Sequence, residues 1–229
     1  AFTLRIQEMA FELHLRRIYP ERNILTFRET STISGQEGLD LQKKTDGTVN
    51  ILGEVASAPV SSLMIQMAQV ASLFTLFTHH AKTTADLVKS LRNNLLQTGV
   101  FSNEKIDEQQ VADVINFDIH MNRDISGHRY IERITEVIPV ENTDYPEIEK
   151  AEGEADLKSF LNIAREFFIR MTDRKVFETR DIVVFENGEY KACAPPSRNQ
   201  INSIMKNLTE EERAEFKIFL SKYFNWSEA

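Results

Sequence analysis

What this sequence lacks narrows the field before any motif is read. It has a single cysteine, Cys193, so it holds no internal disulfide, and no Cys/His spacing marks a zinc site. No apolar run approaches the roughly 18–20 residues that cross a bilayer. No charged-then-apolar leader stands at the start. These absences predict a reducing, cytoplasmic setting. Basic charge is short as well: 27 Lys and Arg stand against 35 Asp and Glu, a net charge of −8. That balance argues against a generic nucleic-acid binder, which presents a net basic face. Glycine is sparse at eight residues, and none precedes Gly35. The chain starts at Ala1 rather than a methionine, which leaves room for an upstream piece.

What is present is ordinary for a soluble globular chain: 41% apolar and 27% charged residues over a length of 229. Such a length allows one or two domains with a full core. Residues 1–18 place Phe2, Ile6, Met9, Ala10 and Leu13 at helical spacing, with Phe11, Leu15 and Ile18 on a second face, and so predict a largely buried helix. Tyr19-Pro20 ends it. Residues 23–27 read as a short strand, and residues 30–48, polar and glycine-bearing, as a long loop. A second strand covers 49–54, a helix 59–70 and a third strand 73–77. A further helix from Thr83 opens on a capping-box-like Thr83/Asp86 pair. The Met64 and Met67 pair reads as core rather than as a partner groove.

Alternation of strand and helix predicts an α/β domain with a mainly parallel sheet. The pattern then changes. Alternating residues around 115–121 and 130–140, joined by Asp124-Ile125-Ser126-Gly127, predict a β-hairpin. The stretch 141–156 carries seven acids and Pro146 and reads as a solvated linker. An amphipathic helix, a second hairpin turning at Asn187-Gly188 and two closing helices follow, the last entered by Thr209-Glu210-Glu211-Glu212. The expected division is 1–140, a linker at 141–156, and a smaller α+β domain at 157–229.

Three polar residues are expected at one edge of the parallel sheet, where ligands bind in such folds. They are Glu29 after the first strand, Glu54 at the end of the second, and one of His79 and His80 after the third. Adjacent histidines on a strand point to opposite faces, so the two are not read as a metal pair. An acid at such an edge can hold Mg²⁺ or orient an attacking water.

The stretches Asn23-Ile24-Leu25-Thr26-Phe27-Arg28-Glu29, Ile51-Leu52-Gly53-Glu54-Val55 and Thr78-His79-His80-Ala81 resemble, in order, the Asp, Walker B and His boxes of type II/IV secretion ATPases. The tight-adherence (Flp) pilus-assembly branch is the nearest in look. The hairpin from Gly127 to Val137 also resembles the segment that follows the His box there. The resemblance implies a P-loop (RecA-like) core with a smaller α+β domain. It further implies a hexameric motor using ATP and Mg²⁺ on the cytoplasmic side of the membrane, docked to an inner-membrane platform protein. By the same resemblance Glu54 activates water and helps hold Mg²⁺, His80 senses the γ-phosphate, and Glu29 supports metal and water.

The chain departs from the family at several points. Ala56-Ser57 stands where an Arg-Gly is usual, and Lys82 stands where an Asn is common. No Gly-x-x-x-x-Gly-Lys-Ser/Thr loop is present, and no lysine precedes Lys43. That loop wraps phosphates with backbone N–H groups and supplies the Lys charge. The expectation is therefore a chain that binds ATP poorly by itself. The alternative is a catalytically inactive structural or regulatory subunit, or an interaction domain, of the same machinery. A nucleic-acid-handling P-loop protein is disfavoured by the acidic charge.

Overall fold

The computed structural model describes residues 2–70, 72–99, 103–140, 154–172 and 176–227. They form two compact units, Ala1–Ile115 and Asn116–Ala229, each with its own four-stranded sheet. In the first unit the chain runs β1 (Leu4–Glu8), α1 (Leu15–Ile18), β2 (Ile24–Arg28), α2 (Gly35–Lys43), β3 (Val49–Leu52), α3 (Ala58–Val70), β4 (Phe74–Phe77), α4 (Thr84–Thr98) and α5 (Glu104–Val114). All strand pairs are parallel, in the order β2-β1-β3-β4. The mixed α/β fold with a mainly parallel sheet is as expected.

The first correction concerns residues 1–18. They form a strand and only one turn of helix, not a long helix. Leu4 and Ile6 alternate with Arg5 and Gln7, and β1 has a partner on each side, Ile6 facing Thr26 and Ile51. The apolar spacing of three and four also runs through this stretch, but pairing on both edges decides the outcome. Met9, Phe11 and Leu13, expected inside a buried helix, stand exposed instead. Arg5 and Gln7 are buried and are satisfied. Arg5 donates to Thr45 Oγ1 at 2.8 Å and to the Asp46 carbonyl at 2.8 Å, and Gln7 Oε1 accepts from Gln42 Nε2 at 3.4 Å.

The second correction is α2, which fills part of the expected 30–48 loop. Ser34 caps it and Glu37 reaches back to the Ser34 N–H, a complete capping box. Its glycines hide it from a propensity reading. Gly38 is needed for close approach, since a Cβ there would stand 2.4 Å from Gln7 Oε1. The core of this unit joins Ile6, Leu39 and Leu52 with Met64, Ile65 and Met67 of α3 and Leu91 and Leu95 of α4. The methionines of α3 are thus core, as read.

The second unit runs β5 (Phe117–Arg123), β6 (Arg129–Pro139), α6 (Glu154–Thr172), β7 (Phe177–Glu186), β8 (Glu189–Ala192), α7 (Arg198–Lys206) and α8 (Glu210–Phe224). Its sheet is antiparallel, in the order β5-β6-β7-β8. Both expected hairpins form. Asn187 and Gly188 turn the second with φ of 54° and 85°, a backbone that favours these residue types. The β5–β6 hairpin, grouped above with the first domain, shares its sheet with β7 and β8 in the second unit. Most of the acidic stretch, 141–153, lies outside the described residues, and α6 begins at Glu154. Glu136, buried on β6, accepts from the Ser197 N–H at 2.8 Å and from its hydroxyl, which anchors the start of α7.

Candidate functional site

Because β1 to β4 are parallel, their carboxyl ends open on one edge. Chain order reverses between β1 and β3, the position where open α/β sheets bind ligands. β3 ends in Gly53-Glu54-Val55 and β4 in Thr78-His79-His80, and the two turns are zipped together. Thr78 N–H donates to the Leu52 carbonyl at 3.4 Å, the Thr78 hydroxyl donates to the Gly53 carbonyl, and Val55 N–H donates to the Thr78 carbonyl at 3.0 Å.

This zipper sets the two histidines to different tasks. His79 Nδ1 lies 2.7 Å from the Val55 carbonyl and Nε2 lies 2.9 Å from Ser90 Oγ on α4. A carbonyl only accepts, so Nδ1 carries the proton, and in the neutral ring Nε2 accepts from the Ser90 hydroxyl. His80 points the other way. Its side chain is 96% exposed, and its Nε2 lies 3.5 Å from Glu54 Oε1. The structure thus brings Glu54 and His80 together at the sheet edge and holds His79 between the turn and α4.

Glu29 takes no part in that pair. It follows the edge strand β2, with β1 between it and β3, about 10 Å away by strand spacing. Its carboxylate lies against Gly35 at the start of α2: a Cβ on Gly35 would stand 3.2 Å from Glu29 Oε2 and 3.2 Å from Val60 Cγ2. The acid beside Gly53-Glu54 is one the sequence reading missed, Glu8. It closes the central strand β1 and is 4% exposed. A Cβ on Gly53 would stand 3.4 Å from Glu8 Cγ. Its Oε1 accepts from the backbone N–H groups of Glu12 and Leu13, both at 2.9 Å. A strand-final acid preceded by the Leu4/Ile6 alternation was the signal that could have found it.

The fit to a nucleotide divides in two. Glu54 and His80 offer an acid and an imidazole open to solvent, suited to a water molecule and a charged group beside it. The phosphate cradle does not fit. The segment after β1, residues 9–14, has no glycine. Its Glu12 and Leu13 N–H groups are already taken by Glu8, and α1 has only four residues. The two-acid metal set expected of Glu29 and Glu54 is also not brought together. No group of three or more His, Cys, Asp or Glu that could hold a metal ion occurs among the described residues.

No protein-family model matches this sequence, and no curated protein matches it. Solved structures do show likeness. The VirB11 ATPase from the Brucella suis type IV secretion system, in complex with sulphate, matches at 18% identity and a TM-score of 0.49 over 58% of this chain and 39% of its own. The Legionella pneumophila ATPase DotB matches at 12% identity and a TM-score of 0.42, over 56% of this chain and 34% of its own. The pilus retraction motor PilT, with bound ADP, matches at 12% identity and a TM-score of 0.40, over 93% of this chain and 51% of its own. The chain thus spans between about a third and a half of the length of these proteins. Likeness at this level carries no argument about function.

Proposed function

We propose that this chain is the part of a secretion or pilus-assembly motor ATPase that carries the water-activating acid Glu54 and the phosphate-sensing His80. The observation that carries the reading is the Glu54–His80 approach of 3.5 Å at the carboxyl edge of two adjacent parallel strands. Glu54, with its carboxylate beside solvent, is placed to orient a water and accept its proton. His80 is placed to hydrogen-bond the acid or a neighbouring anion, according to its protonation. Glu8 packs beside Gly53, the residue before Glu54. The role of Glu29 rests on its motif alone, away from this pair.

In this reading the whole protein works with ATP and Mg²⁺ as a homo-oligomeric ring of six, of the tight-adherence type. It sits at the cytoplasmic face of the inner membrane, docked to a platform protein there. No helix among the described residues is long and apolar enough to cross a membrane. Because the cradle does not fit, the chain alone is expected to bind nucleotide weakly. That weakness, set by Glu8 occupying the nearest N–H groups, also supports the second reading, an inactive subunit of the same machinery.

The test is calorimetric titration of the purified chain with Mg-ATP beside the Glu54→Gln variant. No saturable binding up to about millimolar nucleotide, a free energy near −4 kcal/mol, is the expected result. Tight saturable binding that Glu54→Gln alters would show a phosphate cradle in this chain and overturn the proposed weakness. Tight binding indifferent to Glu54→Gln would move the site away from this edge and sink the assignment itself.

A further inference from the structure

Helix α5 sits on α3 and α4 through a narrow seat. Its buried residues are Asp107, Val111 and Ala112, while Ile106 stands largely in solvent. Two small apolar side chains bury little surface, so polar ties carry much of the attachment. Asn103 caps the helix, its side chain accepting from the Lys105 and Ile106 N–H groups at 3.0 and 3.3 Å. Gln110 is hydrogen-bonded to Gln69 of α3. Arg92 of α4 reaches Glu104 at 2.9 Å and Glu108 at 2.7 Å.

Asp107 has no such tie. It is fully buried, and neither carboxylate oxygen finds a hydrogen-bond partner among the described residues. The charged groups around it do not supply one. Helix α3 carries no titratable residue. On α4, Asp86 and Lys89 stand exposed, which leaves Arg92 as the cation facing α5. Its guanidinium is already engaged, one nitrogen by Glu104 and Glu108 and the other two by the Asn93 side-chain oxygen. On α5 itself Lys105 and Asp113 are exposed, and Glu104 and Glu108 bear the same sign as an ionised Asp107. An ionised Asp107 is therefore a third carboxylate beside one arginine that two others hold. A buried charge without compensation is costly, and the group either keeps its proton or moves to water.

We propose that α5 is a proton-held latch, seated on α3 and α4 while Asp107 keeps its proton and released when Asp107 ionises. Burial raises the Asp107 pKa above the ordinary carboxylate value. The seat is thus firmest below the unfolded value of about 3.9 and loosens as pH rises through the higher folded one. Helix α5 is the last element of the first unit, and β5 opens the second. Its release adds 11 residues to the chain that joins the two units. The proposal does not rest on the motor reading, because none of these residues belongs to the Glu54–His80 edge.

Native-state hydrogen exchange of the purified chain, corrected for intrinsic rates, reads the release from about pH 4 to about pH 8. Protection of the α5 amides should fall as pH rises while that of α4 holds. The near-isosteric Asp107→Asn should keep at neutral pH the α5 protection that wild type shows only in acid. Wild-type protection of α5 that does not change with pH overturns the proposal. The same fall in Asp107→Asn places the titrating charge elsewhere and overturns it too. A loss shared equally by α3, α4 and α5 would mean that ionisation unfolds the whole unit, so that no latch exists.

Discussion

The two units of this chain each hold four strands, and they put them to opposite uses. In β2-β1-β3-β4 every strand runs the same way, so Glu8, Gly53-Glu54 and His79-His80 emerge on one edge. In β5-β6-β7-β8 each strand reverses the last, so strand ends are shared between two edges. The parallel sheet buries Arg5, Gln7 and Asn50 on its central strands, as sheets of that type are enclosed. The antiparallel sheet leaves Ile119 and Met121 exposed. Convergence of chemistry here follows from strand direction rather than strand composition. The units also treat buried acids differently. Asp107 on α5 is 0% exposed and neither carboxylate oxygen finds a hydrogen-bond partner among the described residues, whereas Glu136 on β6 is 2% exposed and takes two donors from Ser197.

The sharpest contrast is in packing. Ile6→Ala, at a side chain with no exposure in the central strand, should cost about 2–5 kcal/mol through lost burial and a residual cavity. Ile119→Ala, at 57% exposure, should stay within about 0.5 kcal/mol. Urea denaturation of both variants checks the pair, and equal losses would break the comparison.

The buried acids should answer with opposite signs. Glu136→Ala strands the Ser197 donors and should cost about 1–3 kcal/mol. Burial raises the Asp107 pKa above the ordinary carboxylate value. Such a group contributes stability that is present below its unfolded pKa of about 3.9 and lost as pH rises through the folded one. Asp107→Asn should therefore raise the melting temperature at pH 7 and lose that advantage in acid. Thermal melts across pH measure both variants, and a destabilised Asp107→Asn at neutral pH would show a partner for that carboxylate.

The cap of α8 contributes less than the buried side chains do. Thr209→Ala removes half of its capping box and should cost about 0.5–2 kcal/mol. Backbone and hydroxyl hydrogen bonds from Thr209 hold the Glu212 carboxyl below its usual pKa. The cap's contribution is therefore present above the unfolded value of about 4.3 and fades as pH falls through the lower folded one. Circular dichroism of Thr209→Ala should show a shallower acid transition than wild type.

Legibility followed the strength of local signals. β2, β3 and β4 were readable as short runs of β-branched, aromatic and aliphatic residues, and α4 by its Thr83 cap, whose side chain accepts from Asp86 N–H. With those strands parallel, the arrival of Glu54 and one of the two histidines at a common edge was readable too. β1 was not, because Leu4-Arg5-Ile6-Gln7-Glu8 fits a helical spacing as well as an alternating one. Its polar members are buried by neighbours distant in sequence, Thr45, Asp46 and Gln42. Losing that strand also lost Glu8. α2 was hidden by Gly35 and Gly38, whose purpose shows only when Glu29 and Gln7 are in place against them.

His79 gives the site a mechanical property as well as a shape. One ring nitrogen is fastened to the carbonyl of Val55, the residue after Glu54, and the other to Ser90 on α4. α4 is in turn tied to α3 through Asn94 and Ser61, 2.8 Å apart. A shift of α4 along its axis cannot leave Val55 in place without breaking one of the imidazole's two bonds. The ring therefore acts as a short rigid strut that couples the turn after Glu54 to the position of α4.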